Sequence, residues 1–464
     1  MTLLAHWITR QAALRASAPA LALDGVILNF GELRDLGRRL GAGYASRGVQ
    51  PGQAVALVSV SSRELIRAAL GASFAGAAFF PLDARLPAPR RADLLLAVAP
   101  EYVLAGEDHR LAPAAGGSEA PAPHPTPDAA ELLIATSGSG GAPRAAVLTA
   151  RNLEAAAVAA AARVPLAPGE SWIGCLPLFH VGGMSLPYRC ARAGACLRLH
   201  QDFDPERVLG ELDSGTATHV SLVPAMLAAL LDEADGRPLP PGVKCLLVGG
   251  APLGAALAKR ALAAGWPVFV TYGMTEAASQ VATGRLDAAW RPGWAGPPLP
   301  GMTVDIMDDG RIRVRGEAVM AGYGGEGRRP AQPLEGGVFV TSDLGRLEAD
   351  GSLVVLGRAD EVLLSGGENV HPEEVEPLLA QCPGVEDAAL TARPDPAWGD
   401  RLVALVVGSA DPAAVERWCR ERLPPPWRPR AILKVPALPR TALSKLDRPG
   451  LRRLAAELSR GETG

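Results

Sequence analysis

Residues 243–271 read VKCLLVGGAPLGAALAKRALAAGWPVFVT, and the order of elements in this stretch decides the fold class. Residues 243–248 form a short apolar run bounded by Gly249-Gly250, the pattern of a buried strand. Residues 253–264 read as a helix closed by Gly265, and residues 267–271 as a second apolar strand that ends at Tyr272-Gly273. A strand, a helix and a strand in so few residues make a βαβ unit, and such a unit needs a parallel sheet. In open parallel sheets ligands bind beyond the carboxyl ends of the strands, so the Gly249-Gly250 and Tyr272-Gly273 turns are expected to face one crevice.

Toward the N-terminus the same rhythm recurs. Between residues 54 and 107, apolar runs at 54–60, 79–82 and 102–105 alternate with helix-like stretches. A Pro/Ala/Gly-rich connection at 112–127 leads to the apolar run 132–135 and then at once to a Gly/Ser-rich loop. Toward the C-terminus the texture changes from about Gly296 to short β-runs punctuated by Asp309-Gly310 and Asp350-Gly351, dipeptides of tight hairpins. After Asp360 a Gly-rich turn precedes a helix near 373–380, strands near 387–391 and 402–407, and a helix near 413–423. The expectation is an α/β protein. Residues 1–359 would form a large N-terminal domain of parallel α/β subdomains with a small β-barrel-like segment at about 285–357, and residues 360–464 a small α+β C-terminal domain.

Composition narrows the function. At 464 residues the chain exceeds one compact core, and 48% hydrophobic with 20% charged residues is a globular balance. A net charge of −3 without a basic run argues against nucleic-acid or membrane-surface binding and favours small-molecule partners. The six cysteines form no C-x-x-C pair and no zinc spacing, so they are expected as reduced thiols. No signal-peptide pattern opens the chain and no internal stretch is long enough to span a bilayer, so the expected location is cytoplasmic. A homodimer is compatible with these features. Of 46 basic residues only Lys244, Lys259, Lys434 and Lys445 are lysine, so each lysine calls for a reason.

Several short segments carry chemistry. Thr136-Ser137-Gly138-Ser139-Gly140-Gly141-Ala142-Pro143-Arg144 offers hydroxyls, unobstructed N–H groups and one cation, the makings of a phosphate cradle, although a plain flexible loop fits the same residues. Tyr272-Gly273-Met274-Thr275-Glu276 sets an aromatic, a hydroxyl and a carboxylate at a strand end, suited to stacking a purine and holding Mg²⁺ beside phosphate oxygens. An ordinary helix start with Thr275 as cap fits it too. Asp343 could accept from both ribose hydroxyls or simply form a turn, and Arg358 with Asp360 could be a surface ion pair. Gly322-Tyr323-Gly324-Gly325-Glu326-Gly327 matches G-x-G-x-x-G, but Arg328-Arg329-Pro330 follows instead of a helix, which marks it as a decoy. There is neither a Walker A loop nor a G-x-S-x-G elbow.

In this order, from about Ile134 to Lys445, the segments resemble those of the adenylate-forming superfamily of acyl- and aryl-CoA synthetases, adenylation domains and firefly luciferase. The resemblance implies a phosphate loop at 136–144 and an adenine-binding turn at Gly249-Gly250-Ala251-Pro252. It implies adenine stacking and a magnesium carboxylate at Tyr272 to Glu276, a ribose contact at Asp343 and a hinge at Gly357-Arg358-Ala359-Asp360. Ser365-Gly366-Gly367-Glu368-Asn369 would be the loop that turns toward coenzyme A. Pro439-Arg440-Thr441-Ala442-Leu443-Ser444-Lys445 would carry the catalytic lysine. The phosphate loop departs from the pattern at Gly140, Arg144 and Ala145, where Thr, Lys and Gly are usual.

Leu176-Pro177-Leu178-Phe179-His180-Val181-Gly182-Gly183, residues 272–280 and residues 365–372 look most like the o-succinylbenzoate-CoA ligases of menaquinone biosynthesis. The implied reaction uses ATP, Mg²⁺ and coenzyme A: Glu276 holds the metal, Lys445 bridges the substrate carboxylate and the α-phosphate, and His180 lines the acyl pocket. A mobile tail then pivots at Asp360 and brings Gly366, Gly367 and Glu368 to the site. Arg189, nine positions after His180, is the candidate partner for a second substrate carboxylate, or else one more surface arginine. Another acyl- or aryl-CoA synthetase, an adenylation enzyme that loads a carrier protein, and a non-catalytic relative are the alternatives.

Overall fold

The computed structural model describes residues 2–104, 125–136, 144–324, 332–365, 368–395, 399–440 and 446–461. The 243–271 stretch folds as strand Cys245–Val248, helix Ala255–Ala263 and strand Val268–Met274, the strands parallel with Leu246 opposite Val268. Every residue of Cys245–Val248 is buried, as a strand covered on both faces must be. The helix begins later than the sequence suggests. Gly254, at its N-cap, has no side chain to cap it, and Leu253 is committed to the core below. Gly265 follows the helix with φ +69, the left-handed turn that sends the chain back.

This unit lies one strand in from an edge of an eight-stranded sheet. Ser171–Gly174, His219–Leu222, Cys196–Leu199 and Pro19–Leu23 extend it in parallel. Ser279–Arg285 and Val26–Asn29 close its two edges antiparallel. A seven-stranded sheet lies beside it, and its strands Ala54–Val58, Ala78–Leu82 and Tyr102–Leu104 pair in parallel, as the alternating runs predict. Residues of both sheets and of the helices packed on them, among them Leu3, Phe30, Leu148 and Trp172, belong to one apolar cluster.

The β-rich segment is a five-stranded antiparallel sheet built from Trp294–Gly296, Met302–Ile306, Arg311–Gly316, Val338–Leu347 and Leu353–Arg358. Its Asp-Gly turns place Gly310 and Gly351 at φ +82 and +81, where a side chain would be strained. The tail has its own sheet and core. Val385–Asp395 and Gly399–Gly408 pair antiparallel, and helices Pro372–Leu379 and Pro412–Arg422 contribute Val375, Leu379, Val415 and Cys419 to an apolar cluster separate from those of the first two sheets. Several elements escape the sequence reading, among them helix Leu3–Arg15, hairpin Pro19–Leu23/Val26–Asn29, helix Ala150–Arg163, strand Ala431–Lys434 and helix Arg448–Gly461. All six cysteines are free and buried. Among the described residues no helix is long and apolar enough to cross a membrane.

Candidate functional site

The two turns at the carboxyl ends of Cys245–Val248 and Val268–Met274 open on the same side of the large sheet, as parallel pairing requires. At Gly249 a Cβ would come within 2.6 Å of the Thr271 methyl, and Gly250 sits at φ +80, so this turn tolerates only glycine where it runs beside its neighbour. Ala251 and Pro252 continue it toward the helix. From the next strand Tyr272 donates its hydroxyl to Asp343 Oδ2 at 2.5 Å. Burial, then the Asp343 charge, push the phenol well above its ordinary range and keep it a donor.

Asp343 arrives on a different sheet. Its strand, Val338–Leu347, pairs with Leu353–Arg358 so that Asp343 lies opposite Arg358. Arg358 Nη1 is 3.6 Å from Asp343 Oδ1, while Nε and Nη2 each lie 2.8 Å from the Asp360 carboxylate. Hydrogen bonding to Asp360 raises the Arg358 pKa further, so it is a fixed cation. Tyr272, Asp343, Arg358 and Asp360, distant in sequence, thus form one connected chain.

Thr275–Ala277 makes only a single 3-10 turn, after which the chain doubles back as Ser279–Arg285; the helix-start reading of Thr275 fails. Ala278 at φ +51 and Ser279 at φ +120 are non-glycine residues in left-handed territory. They are held there because the Ser279 carbonyl packs on Gly273, where a Cβ would be 1.8 Å away. Strain of this kind collects at ligand sites and is maintained by the surrounding structure. Met274 pairs with Ser279 at the base of this turn.

Glu276 in the turn accepts from the Tyr323 hydroxyl through Oε1 at 2.8 Å. Tyr323 lies on Gly322–Tyr323, opposite Ala146 of Arg144–Thr149, and the Arg144 guanidinium sits 5.2 Å over its ring. The G-x-G-x-x-G segment discounted from sequence therefore supplies a site residue, for its tyrosine joins Arg144 to Glu276; Gly325 and Gly327 lie outside the described residues. Thr136 and Arg144 face each other across the Ala130–Thr136/Arg144–Thr149 hairpin. Ser137, Gly138, Ser139, Gly140 and Gly141 lie between them, outside the described residues.

One carboxylate with one oxygen engaged suits a divalent ion shared with phosphate oxygens. Among the described residues no cluster of three or more His, Cys, Asp or Glu could hold a metal ion.

His180 occupies the N-cap of helix Val181–Ala193, its ring edge-on to Phe179 at 4.8 Å. Gly183 lets this helix start pressed on the preceding loop, since a Cβ there would meet the Pro177 carbonyl at 2.4 Å. Arg189, two turns on, is buried with 7% exposure. Its Nη2 donates to Ser279 Oγ at 3.1 Å, and its guanidinium lies 5.8 Å over Trp172. Among the described residues no carboxylate comes within ion-pair distance of it, which disposes of the surface-arginine reading. Burial lowers its pKa to about 10, still a cation at neutrality. Ser279 and Trp172 carried no sequence signal of this role.

Of the tail residues, Glu368 is exposed and accepts from Trp427 Nε1 at 3.2 Å. Gly366, Gly367 and Lys445 lie outside the described residues.

The AMP-binding enzyme family model matches residues 8–324, and the model of the AMP-binding enzyme C-terminal domain matches 374–445. The chain is 33% identical over 482 residues to 2-succinylbenzoate–CoA ligase of Geobacillus kaustophilus, covering 98% of each. It is similar to solved structures of o-succinylbenzoate CoA synthetase from Bacillus subtilis. With the acyl-adenylate intermediate bound, that structure has a TM-score of 0.86 at 28% identity, covering 96% of this chain and 97% of that one. With ATP and magnesium ion, the TM-score is again 0.86 at 28% identity, covering 96% and 99%.

Proposed function

This chain belongs to the AMP-binding enzyme family, and from that premise we propose that it is an ATP-dependent o-succinylbenzoate–CoA ligase. The observation that carries the substrate is Arg189. A buried guanidinium without a carboxylate partner among the described residues is costly unless an anion completes it, and o-succinylbenzoate keeps a second carboxylate after the first is activated.

In the first half-reaction a carboxylate oxygen attacks the α-phosphorus of ATP, the bond to the bridging oxygen breaks and pyrophosphate leaves. No general base is needed, because the carboxylate is already ionised; the protein positions two anions and neutralises them. The 249–252 turn and Tyr272 hold the adenine. Asp343, which already accepts from Tyr272, takes the ribose hydroxyls. Arg144 and the hydroxyls of the 136–144 loop face the phosphates. Mg²⁺, when bound, screens phosphate charge. Glu276 holds it, oriented by Tyr323. Lys445 bridges substrate carboxylate and α-phosphate.

In the second half-reaction the thiol sulfur of coenzyme A attacks the acyl carbonyl, AMP departs and the thiol proton passes to solvent. The chain divides at Asp360 into 1–359 and a mobile 360–464, whose pivot withdraws Lys445 and presents Gly366, Gly367 and Glu368 while His180 lines the acyl route. The cytoplasm, which supplies ATP and coenzyme A, is its location.

The test is ATP–pyrophosphate exchange with o-succinylbenzoate, benzoate and no acid, followed by thioester formation on coenzyme A or on a phosphopantetheinyl carrier protein. Exchange that requires o-succinylbenzoate, with transfer to coenzyme A, is the expected result. Preference for benzoate overturns the substrate, preference for the carrier overturns the acceptor, and absence of exchange with any acid overturns catalysis.

A further inference from the structure

Arg448 opens helix Arg448–Gly461, and its side chain, 16% exposed, meets three carboxylates. Nε donates to Glu361 at 3.0 Å. Nη1 and Nη2 engage the two oxygens of Glu376, the second at 3.1 Å. Glu373 lies 3.8 Å from Nη2. Glu376 also accepts from the Leu390 N–H at 2.8 Å, so one guanidinium joins the turn Ala359–Glu361, helix Pro372–Leu379, strand Val385–Asp395 and its own helix.

The position of this hub gives it a consequence. Glu361 immediately follows the pivot residue Asp360, and Arg448 comes three residues after Lys445. Segment 441–445 leaves and rejoins the described chain at two clamped points. Arg440 bridges Leu446 antiparallel and donates to Asp387 at 2.6 Å. The Asp447 N–H bonds the Pro439 carbonyl at 2.9 Å. The base of the lysine segment and the tail side of the pivot are therefore tied through one side chain.

We propose that Arg448 is a positioning residue for adenylation: it makes the pivot, helix Pro372–Leu379 and the base of the Lys445 segment turn as one body, so that the lysine reaches the α-phosphate in register. The inference rests on the role given to Lys445 above. A sequestered ion cluster adds little net stability over an apolar filling of the same shape, and geometry is what it can supply. The charge count fits. One cation cannot hold three anions, and Glu373, pushed up to about 7 chiefly by burial and held back by Arg448, stands against Gly357, where a Cβ would fall 2.3 Å from its Oε2. That leaves Glu361 and Glu376 to share the planar fork, which a lysine cannot reproduce.

The experiment measures the half-reactions separately in Arg448→Lys, which keeps charge without the fork, and in the double variant Arg448→Gln/Glu376→Gln, which lowers the charge at both ends. The expected result is a fall in kcat for ATP–pyrophosphate exchange of roughly 10- to 100-fold. The KM for ATP stays within about threefold, and transfer of supplied acyl-adenylate to coenzyme A is equally little changed. Equal loss of both half-reactions makes Arg448 merely structural and overturns the proposal. Lys445→Ala, run alongside, separates the failures. Parent-like exchange in Lys445→Ala refutes the lysine role beneath the inference. Loss there beside parent-like exchange in both Arg448 variants refutes the Arg448 role alone.

Discussion

Arg189 and Arg448 both hold a guanidinium largely out of solvent, but their surroundings are opposites. Around Arg189 lie a serine hydroxyl and a tryptophan face, and burial drags its pKa down to about 10. Around Arg448 burial acts in the same direction, yet Glu376, Glu361 and Glu373 overcome it and raise the pKa. A guanidinium whose charge is answered by its own protein fixes geometry. One whose charge is unanswered awaits an anion. The first region lies on the large sheet; the second ties together the tail that is proposed to move.

The sharpest way to break this division is at the join. Asp360→Pro fixes φ at the proposed pivot. If the resting arrangement is the one competent for adenylation, exchange should persist while thioester formation falls by about two orders of magnitude or more; thioester formation at the parent rate removes the moving body. Next in size is Arg189→Ala, which should lower kcat/KM for o-succinylbenzoate by about two orders of magnitude and affect benzoate much less. An equal effect on both acids, or on neither, would mean that the pocket does not read a second carboxylate.

A smaller effect belongs to Glu276, the proposed metal carboxylate. Glu276→Gln should raise the Mg²⁺ needed for half-maximal adenylation by about tenfold or more, and Tyr323→Phe, which removes only the orienting hydroxyl, by about tenfold. Unchanged magnesium dependence in Glu276→Gln would count against its role. The smallest effect is on stability. Glu373 is raised from 4.5 to about 7 by burial, offset by Arg448, with Glu376 and Glu361 acting in the raising direction. The folded chain therefore binds more protons than the unfolded chain between those values, and the stability present below the lower one is lost as pH rises through the upper. Glu373→Gln, which carries no charge at any pH, should be more stable than the parent by on the order of 1 kcal/mol at about pH 8, with the gain gone near pH 4. Melting curves at the two pH values check the sign, and a gain that grows as pH falls would reverse it.

Local patterns written in consecutive residues were legible beforehand. The βαβ unit at 243–271, the Asp-Gly hairpins and the motif order rest on period, turn chemistry and glycine placement, all of them short-range. So does the turn at Gly249-Gly250, because the φ requirement at Gly250 is local. Only the tertiary structure decided which distant groups meet. Tyr323 looked like part of a false phosphate loop until the strand pairing Tyr323 with Ala146 carried its hydroxyl to Glu276. In a chain that uses arginine almost everywhere, sequence position nominated Arg189 without separating it from a surface arginine, and nothing marked Arg448. Burial and partner count, which depend on elements folded together from far along the chain, left one with a serine and a tryptophan face and the other with three carboxylates.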